Sequence, residues 1–450
     1  METTTRLVDP RTGQQRGHVI NARENEISQA LTTARAAQQA WTELTPKARA
    51  QRLNAFAECI DAHMDEYVAR ETAGTGKPDW EARGEVQEVI DLVRFYAWTA
   101  RSLTAPAAGK FMDFHESWVR WEPLGIVAAV VPWNYPLLMA AWRCAPALAA
   151  GNTMLVKPAE TTPDSAALFA EHAKETLGSG IMQVLAGDRH TGRLVVESDV
   201  DAIAFTGSLR AGTDVARRAG IKRLSLELGG NCPVIVLPDA PQDTYAALAA
   251  AVTYNAGQSC AAPARVITFR QNYKEVVDSL AAVMKERHAG KDFGPLNNKD
   301  QLKRYDRIIT ESGARSVQSS SIDPKPSEQE GFWRPACVLA DLPEDDIAVT
   351  EEIFGPVLTV QHADSIEEAL RLANGQPQAL AASVWSGELA TAVGLASKID
   401  AGEVWLNCHL TQTAELPHGG RRASGNGTDL SILALHEYQR PKTITARVRR

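Results

Sequence analysis

Between residues 122 and 231 the chain repeats one pattern: a short apolar run, a turn, then an amphipathic or apolar stretch of helical periodicity. The runs "GIVAAVVP", "NTMLVKP", "MQVLAG", "DAIAFTGS" and "KRLSLELGG" lack the polar alternation of strands with one wet face. Between them, "LLMAAWRCAPALAAG", "SAALFAEHAKETLG", "RHTGRLVVES" and "AGTDVARRAG" read as helices. A strand that returns through a helix of about ten residues enters the sheet parallel to its predecessor, and the helices then cover both faces. The pattern therefore predicts an α/β fold with a doubly wound parallel sheet of the nucleotide-binding type. Ligands are expected at the carboxyl ends of its strands.

A second α/β alternation, from "NCPVIVLP" through "GEVWLN", predicts another such sheet over residues 231–425. Residues 24 to about 105 are helical, with apolar side chains three and four apart. Residues 316–331, "SVQSSSIDPKPSEQEG", read as a surface loop. Two segments look extended and amphipathic, "GKFMDFHESWVRWEP" and the tail "RPKTITARVRR". The expected organisation is one domain from 1–108 with 124–230 and a second from 231–425. A small β bridging or oligomerisation element from 109–123 and 438–450 completes it. Exposed strand edges favour pairing with another subunit, so a homodimer or homotetramer is expected.

A formal charge of −8 argues against a nucleic-acid or anionic-membrane partner. The six cysteines are scattered, without zinc-site spacing, and a chain of 450 residues needs no disulfide frame. The N-terminus has no apolar run, and no apolar stretch reaches about 20 residues. These features predict a reduced, cytoplasmic protein.

Residues of chemical capacity cluster at predicted strand ends: Asn134 in "PWNYP", Lys157 and Glu160 in "KPAE", Ser208 in "FTGS", Glu227 in "ELGG", Cys260 in "GQSC", and Glu352 in "EEIFGPV". Taken singly each has an ordinary explanation. A lone cysteine usually packs as a small hydrophobe, Asn is common in turns, and glycines after a strand are usually turns. Six such motifs carrying these seven residues in this order, within a likeness that spans nearly the whole chain, resemble the aldehyde dehydrogenase superfamily. The aminobutyraldehyde and betaine-aldehyde branches come nearest, through "PWNYPLLMAAWRCAPALAAGN", "YNAGQSC" and "ELPHGG".

The resemblance implies oxidation of an aldehyde to a carboxylic acid. It makes Cys260 the nucleophile, since a thiolate that adds to a carbonyl creates the tetrahedral carbon from which hydride can leave. It assigns the oxyanion to the Asn134 amide and the Cys260 backbone N–H, and activation of water for thioester hydrolysis to Glu227. It places a dinucleotide's pyrophosphate at Gly207 and Ser208, where small residues open a helix N-terminus to phosphate. Lys157 and Glu160 fall on the adenine ribose, Glu352 on the nicotinamide ribose, and Phe354 and Trp133 beside the ring. A carboxylate at Glu160 favours NAD over NADP, because it repels a 2′-phosphate. Branches that transfer the acyl group to coenzyme A tend to lack the Glu227 carboxylate. The alternatives are such a CoA-acylating enzyme, or a catalytically idle relative with a binding or structural role.

The same resemblance lines a substrate tunnel with Tyr135, Leu138, Met139 and Trp142, a stripe any core-facing helix would also show. Glu85, Glu88 and Asp91 share a helix face. That face is either a plain solvated one or an acidic mouth that attracts cationic aldehydes. An acidic semialdehyde would instead want an arginine there, and Arg143 and Arg265 are the nearby candidates. Three features depart from the family pattern. The strand pair that usually precedes "VDPRTGQ" is missing, the segment 285–296 is short, and Asn231 stands where Lys is common.

Overall fold

The computed structural model describes residues 3–102 and 106–448. Residues 1–2, 103–105 and 449–450, which fall within the expected first domain and bridging element, lie outside the described residues. Five parallel strands form one sheet, in the order Met182–Val184, Thr153–Lys157, Ile126–Val130, Ala202–Gly207, Arg223–Leu228. In chain order this is 3-2-1-4-5, so the winding reverses between Ile126–Val130 and Ala202–Gly207. A crevice opens at such a reversal, beyond the strands' carboxyl ends. The strand cores carry Ile, Val, Leu and Ala on both faces, which is why no alternation is visible in the sequence.

A seven-stranded sheet runs Ser316–Ser319, Cys337–Ala340, Val357–Ala363, Pro263–Phe269, Cys232–Val236, Ala381–Trp385, Glu403–Leu406. All neighbours are parallel except the first pair. That pair departs from expectation: the start of the segment read as a loop adds an antiparallel edge strand. Its backbone there bonds to Cys337–Ala340, which satisfies groups that a loop would leave to water. His115–Pro123 pairs with both Ala108–Met112 and Gln439–Arg447, joining the two extended segments in one antiparallel sheet. The N-terminus forms a hairpin of Thr4–Val8 against Gln15–Ile20, turned at Asp9–Gly13, around the segment where no strand pair was expected.

The helix Pro136–Ala150 organises the first half of the chain. Every one of its residues is buried, as befits a helix apolar all round. Proline sits at its first turn, where a missing N–H costs nothing, and Gly151 ends it in the left-handed conformation. This helix starts just beyond the Ile126–Val130 strand. It therefore carries Asn134 and Tyr135 at its N-terminus, into the space between the two sheets.

Candidate active site

Cys260 lies on the wall shared by two cavities. The smaller is bordered by Gly230, Asn231, Gly257, Glu352, Phe354 and Gly355. The larger, about 570 Å³, is lined by Tyr135, Leu138, Met139 and Trp142 from the buried helix, with Glu85, Glu88, Tyr254 and His418 opposite. All four residues of the predicted tunnel stripe thus stand on one cavity wall. That one residue borders both cavities is the central geometric fact of the site.

The backbone approaching the sulfur is strained. Asn255, Ala256 and Gly257 all take positive φ, 48°, 54° and 70°. This region costs a residue with a Cβ about 1 kcal/mol or more, and persists where surroundings over-determine it. Here they do. Asn255 N–H donates to Glu81, its side-chain amide to the Asn134 carbonyl at 2.8 Å, and Gln258 Nε2 to the Asn255 carbonyl. Gly257 also has no room for a side chain: a Cβ there would overlap the Gly355 carbonyl. The glycines of "ELGG" serve by close approach. A Cβ on Gly229 would strike the Glu352 carboxylate, and one on Gly230 the Cys260 carbonyl.

Asn134 is 5% exposed. Its Nδ2 donates to the Gln258 carbonyl at 2.9 Å, leaving one amide proton uncommitted, while its own carbonyl accepts from Lys77 Nζ at 3.1 Å. Burial holds the Cys260 thiol well above the ordinary range, and negative charge around it adds to this. Glu352 is half-buried against the smaller cavity, accepts from Gly230 N–H at 3.1 Å, and is pushed up to about 7 by desolvation. Trp133, from the five-stranded sheet's crevice, meets Phe354 edge-on at 5.5 Å. Lys157 Nζ lies 3.7 Å from Glu160 at the end of its strand, and Ser208 caps the helix Leu209–Ala219 through Oγ.

Glu227 is 4% exposed and borders neither cavity. Its carboxylate lies against Gly419 and Gly427, beside the buried Arg143–Asp429 pair at 2.9 Å. Desolvation, reinforced by Asp429, raises its carboxyl well above the usual range. Its charge nonetheless reaches Cys260. Asn134 is thus tied to the segment that carries Cys260 through the Gln258 carbonyl, Glu352 shares the smaller cavity with Cys260, and Glu227 acts on Cys260 only through its charge.

Several site residues carry no motif of their own. Lys77, 2.5 Å from Glu85, lies 4.8 Å over the Tyr135 ring and is fully buried. Tyr254 stacks near Tyr135 with centroids 6.4 Å apart. His409 bridges Ser383 and the Ala261 carbonyl behind the nucleophile, and burial lowers it to about 4, so it is neutral. No local spacing announces these; they converge only in the folded chain. The two arginines do not face the larger cavity. Arg143 is consumed by Asp429 and Thr206, and Arg265 by the carbonyls of Asn231, Leu372 and Ala373.

Two doubly wound sheets, with a thiol between a crevice and an apolar cavity, define an enzyme of the α/β oxidoreductase class. The chain belongs to the aldehyde dehydrogenase family, whose model matches residues 1–444. It is 33% identical to human retinal dehydrogenase 2, covering 98% of this chain and 88% of that one. It is also 33% identical to a mitochondrial benzaldehyde dehydrogenase of Antirrhinum majus, covering 97% and 84%. A betaine aldehyde dehydrogenase from Staphylococcus aureus, solved in complex with NAD+, superposes with a TM-score of 0.94 at 26% identity, covering 99% and 92%. Aldehyde oxidation is accordingly the general activity of this chain.

Proposed function

We propose that the protein oxidises a cationic or uncharged aldehyde to the free acid, with NAD as hydride acceptor and Cys260 as covalent nucleophile. The observation that carries this reading is the position of Cys260 on a wall common to both cavities. The aldehyde enters the larger cavity, and the Cys260 thiolate adds to its carbonyl carbon. The uncommitted Asn134 proton and the Cys260 N–H stabilise the oxyanion. Loss of hydride leaves a thioester on Cys260. Glu227, after a side-chain rotation out of the glycine-rich 419–427 segment, takes a proton from the attacking water, and the acid departs as the thiol is restored. Burial raises its carboxyl pKa, which makes its ionised form a stronger base than an exposed carboxylate.

The residues around the crevice fit a dinucleotide. Ser208 opens a helix N-terminus, Glu160 and Lys157 stand at a strand end, and Trp133, Phe354 and Glu352 flank the smaller cavity. When bound, its nicotinamide supplies the hydride acceptor. We assign residues 1–108 and 124–230 to this cofactor domain, 231–425 to the catalytic one, and 109–123 with 438–450 to a bridging sheet.

Charge and shape support the substrate class. Glu88 lines the larger cavity and, with Asp91 and Glu415, an adjoining one, while Glu85 is already paired with Lys77. Tyr135, Tyr254 and Trp142 offer ring faces, which attract cations. Among the described residues, no arginine lines either cavity to receive a carboxylate. The bridging sheet ends in two open edges and exposes Phe111, Met112 and Trp118, which supports a homodimer or homotetramer. All six thiols are free, and no described helix is long and apolar enough to cross a membrane. Both observations accord with a reducing, cytoplasmic setting.

Product analysis with and without coenzyme A tests the reaction. Free acid formed at full rate without CoA is expected, and a strict CoA requirement overturns it. A panel of 4-aminobutyraldehyde, benzaldehyde, hexanal and succinic semialdehyde, run with NAD and NADP, tests the rest. The highest kcat/KM for succinic semialdehyde would refute the substrate class.

A further inference from the structure

We propose that Cys59, His63 and His172 form a binding site for a borderline transition-metal ion of the Zn2+ and Co2+ class, remote from the catalytic cavities. One ligand atom from each residue lies within 4.8 Å of the other two. The convergence is built into helix packing. Phe56 of Pro46–Ala62 meets Phe169 of Asp164–Thr176 with ring centroids 4.8 Å apart. One turn further along each helix, at i+3, stand Cys59 and His172. The same face-to-face contact that buries the two phenyl rings thus aims the thiol and the imidazole at one point. His63, where the first helix ends, closes the set. Its Nδ1 is 3.9 Å from Cys59 Sγ, and its ring centroid is 4.4 Å from that of His172.

The chemistry of the donors matches the ion. One thiolate and two neutral imidazoles are a soft-to-borderline set, suited to tetrahedral zinc or cobalt rather than to calcium or magnesium. His172 is buried, which fixes its ring in place. Its Nδ1 is 2.9 Å from the buried Tyr67 hydroxyl, a partner of the kind that orients a metal-binding ring and leaves Nε2 to the ion. His63 is exposed, so its side chain can rotate the distance needed to bring the ligand atoms to the roughly 3.5 Å separations that tetrahedral bonds of about 2.0–2.3 Å require. Glu175 lies at i+3 from His172, and its charge acts on both Cys59 and His172. It provides a carboxylate for the fourth position, and water is the alternative.

The test is Co2+ titration of the chelator-treated full-length protein, read by absorbance. One equivalent should bind with a sulfur-to-cobalt charge-transfer band and tetrahedral visible bands, both removed by Zn2+. The band should persist in Cys260→Ala, vanish in Cys59→Ser, and need at least about tenfold more Co2+ in His63→Ala. Zn2+ should raise Tm in the unsubstituted protein and in Cys260→Ala but not in Cys59→Ser, whose aldehyde oxidation should be unchanged without metal. Absence of a thiolate band in the unsubstituted protein, its survival in Cys59→Ser, or its loss in Cys260→Ala would each overturn the proposal.

Discussion

Replacing Asn134 by Ala separates catalytic from structural duty at one residue. The side chain donates one proton to the Gln258 carbonyl, and in the proposed mechanism the second serves the oxyanion. Loss of one preorganised oxyanion donor costs about 3–4 kcal/mol of barrier, or about 10²–10³ in kcat. The structural loss should be smaller. The Gln258 carbonyl also accepts from Asn255 Nδ2 at 3.3 Å, so it is not orphaned, and the Asn134 carbonyl keeps its contacts with Lys77 and Asn255. About 1 kcal/mol of stability is therefore at stake, which lowers Tm by no more than about 4 °C. The assay is stopped-flow NADH formation with thermal denaturation on the same preparation. A kcat within about threefold of the unsubstituted enzyme would refute the assignment. So would a rate loss matched by a collapse in Tm, since that would make Asn134 a scaffold residue only.

Because burial holds the Cys260 thiol well above its ordinary range, only the minor thiolate form reacts. Thiolate content rises about tenfold per pH unit below that pKa, so kcat/KM should climb from about pH 6 to about pH 9, and a flat or falling profile would contradict it. Glu88→Gln at the exposed rim should raise KM for 4-aminobutyraldehyde about threefold or more and leave hexanal unchanged; equal effects on both would remove the acidic mouth from the argument. Glu85→Gln is expected to destabilise by about 3–5 kcal/mol in denaturant melts, since it leaves Lys77 buried without its nearest carboxylate. Gly257→Ala should abolish activity by displacing the segment that presents Cys260, and an active, normally melting variant would show that the close approach to Gly355 is dispensable.

Most of the parallel strands were legible from residue 122 onward, because burial on both faces writes an apolar run into them; Arg223–Leu228 alternates instead, and the short strand Cys337–Ala340 was not anticipated. The candidate nucleophile stood out by its company: "YNAGQSC" gains meaning from "PWNYP", "ELGG" and "EEIFGPV" in series. The start of 316–331 was not legible, since an edge strand needs only a neighbour's free backbone, which no side-chain pattern records. The hairpin at Thr4–Ile20 escaped for the same reason.

Local sequence, then, determined which residues form strands and helices and which side chains are chemically competent, because period and burial are properties of a short window. Tertiary structure alone decided that Lys77 neutralises Glu85, that Arg143 is spent on Asp429 some 286 residues away, and that Glu227 rests against the glycines of 419–427. The last two join groups from distant parts of the chain, and Lys77 meets Glu85 only because the chain folds back at the start of Asp79–Thr99. They exist only because burying a charge forces it to find a partner wherever packing happens to leave one.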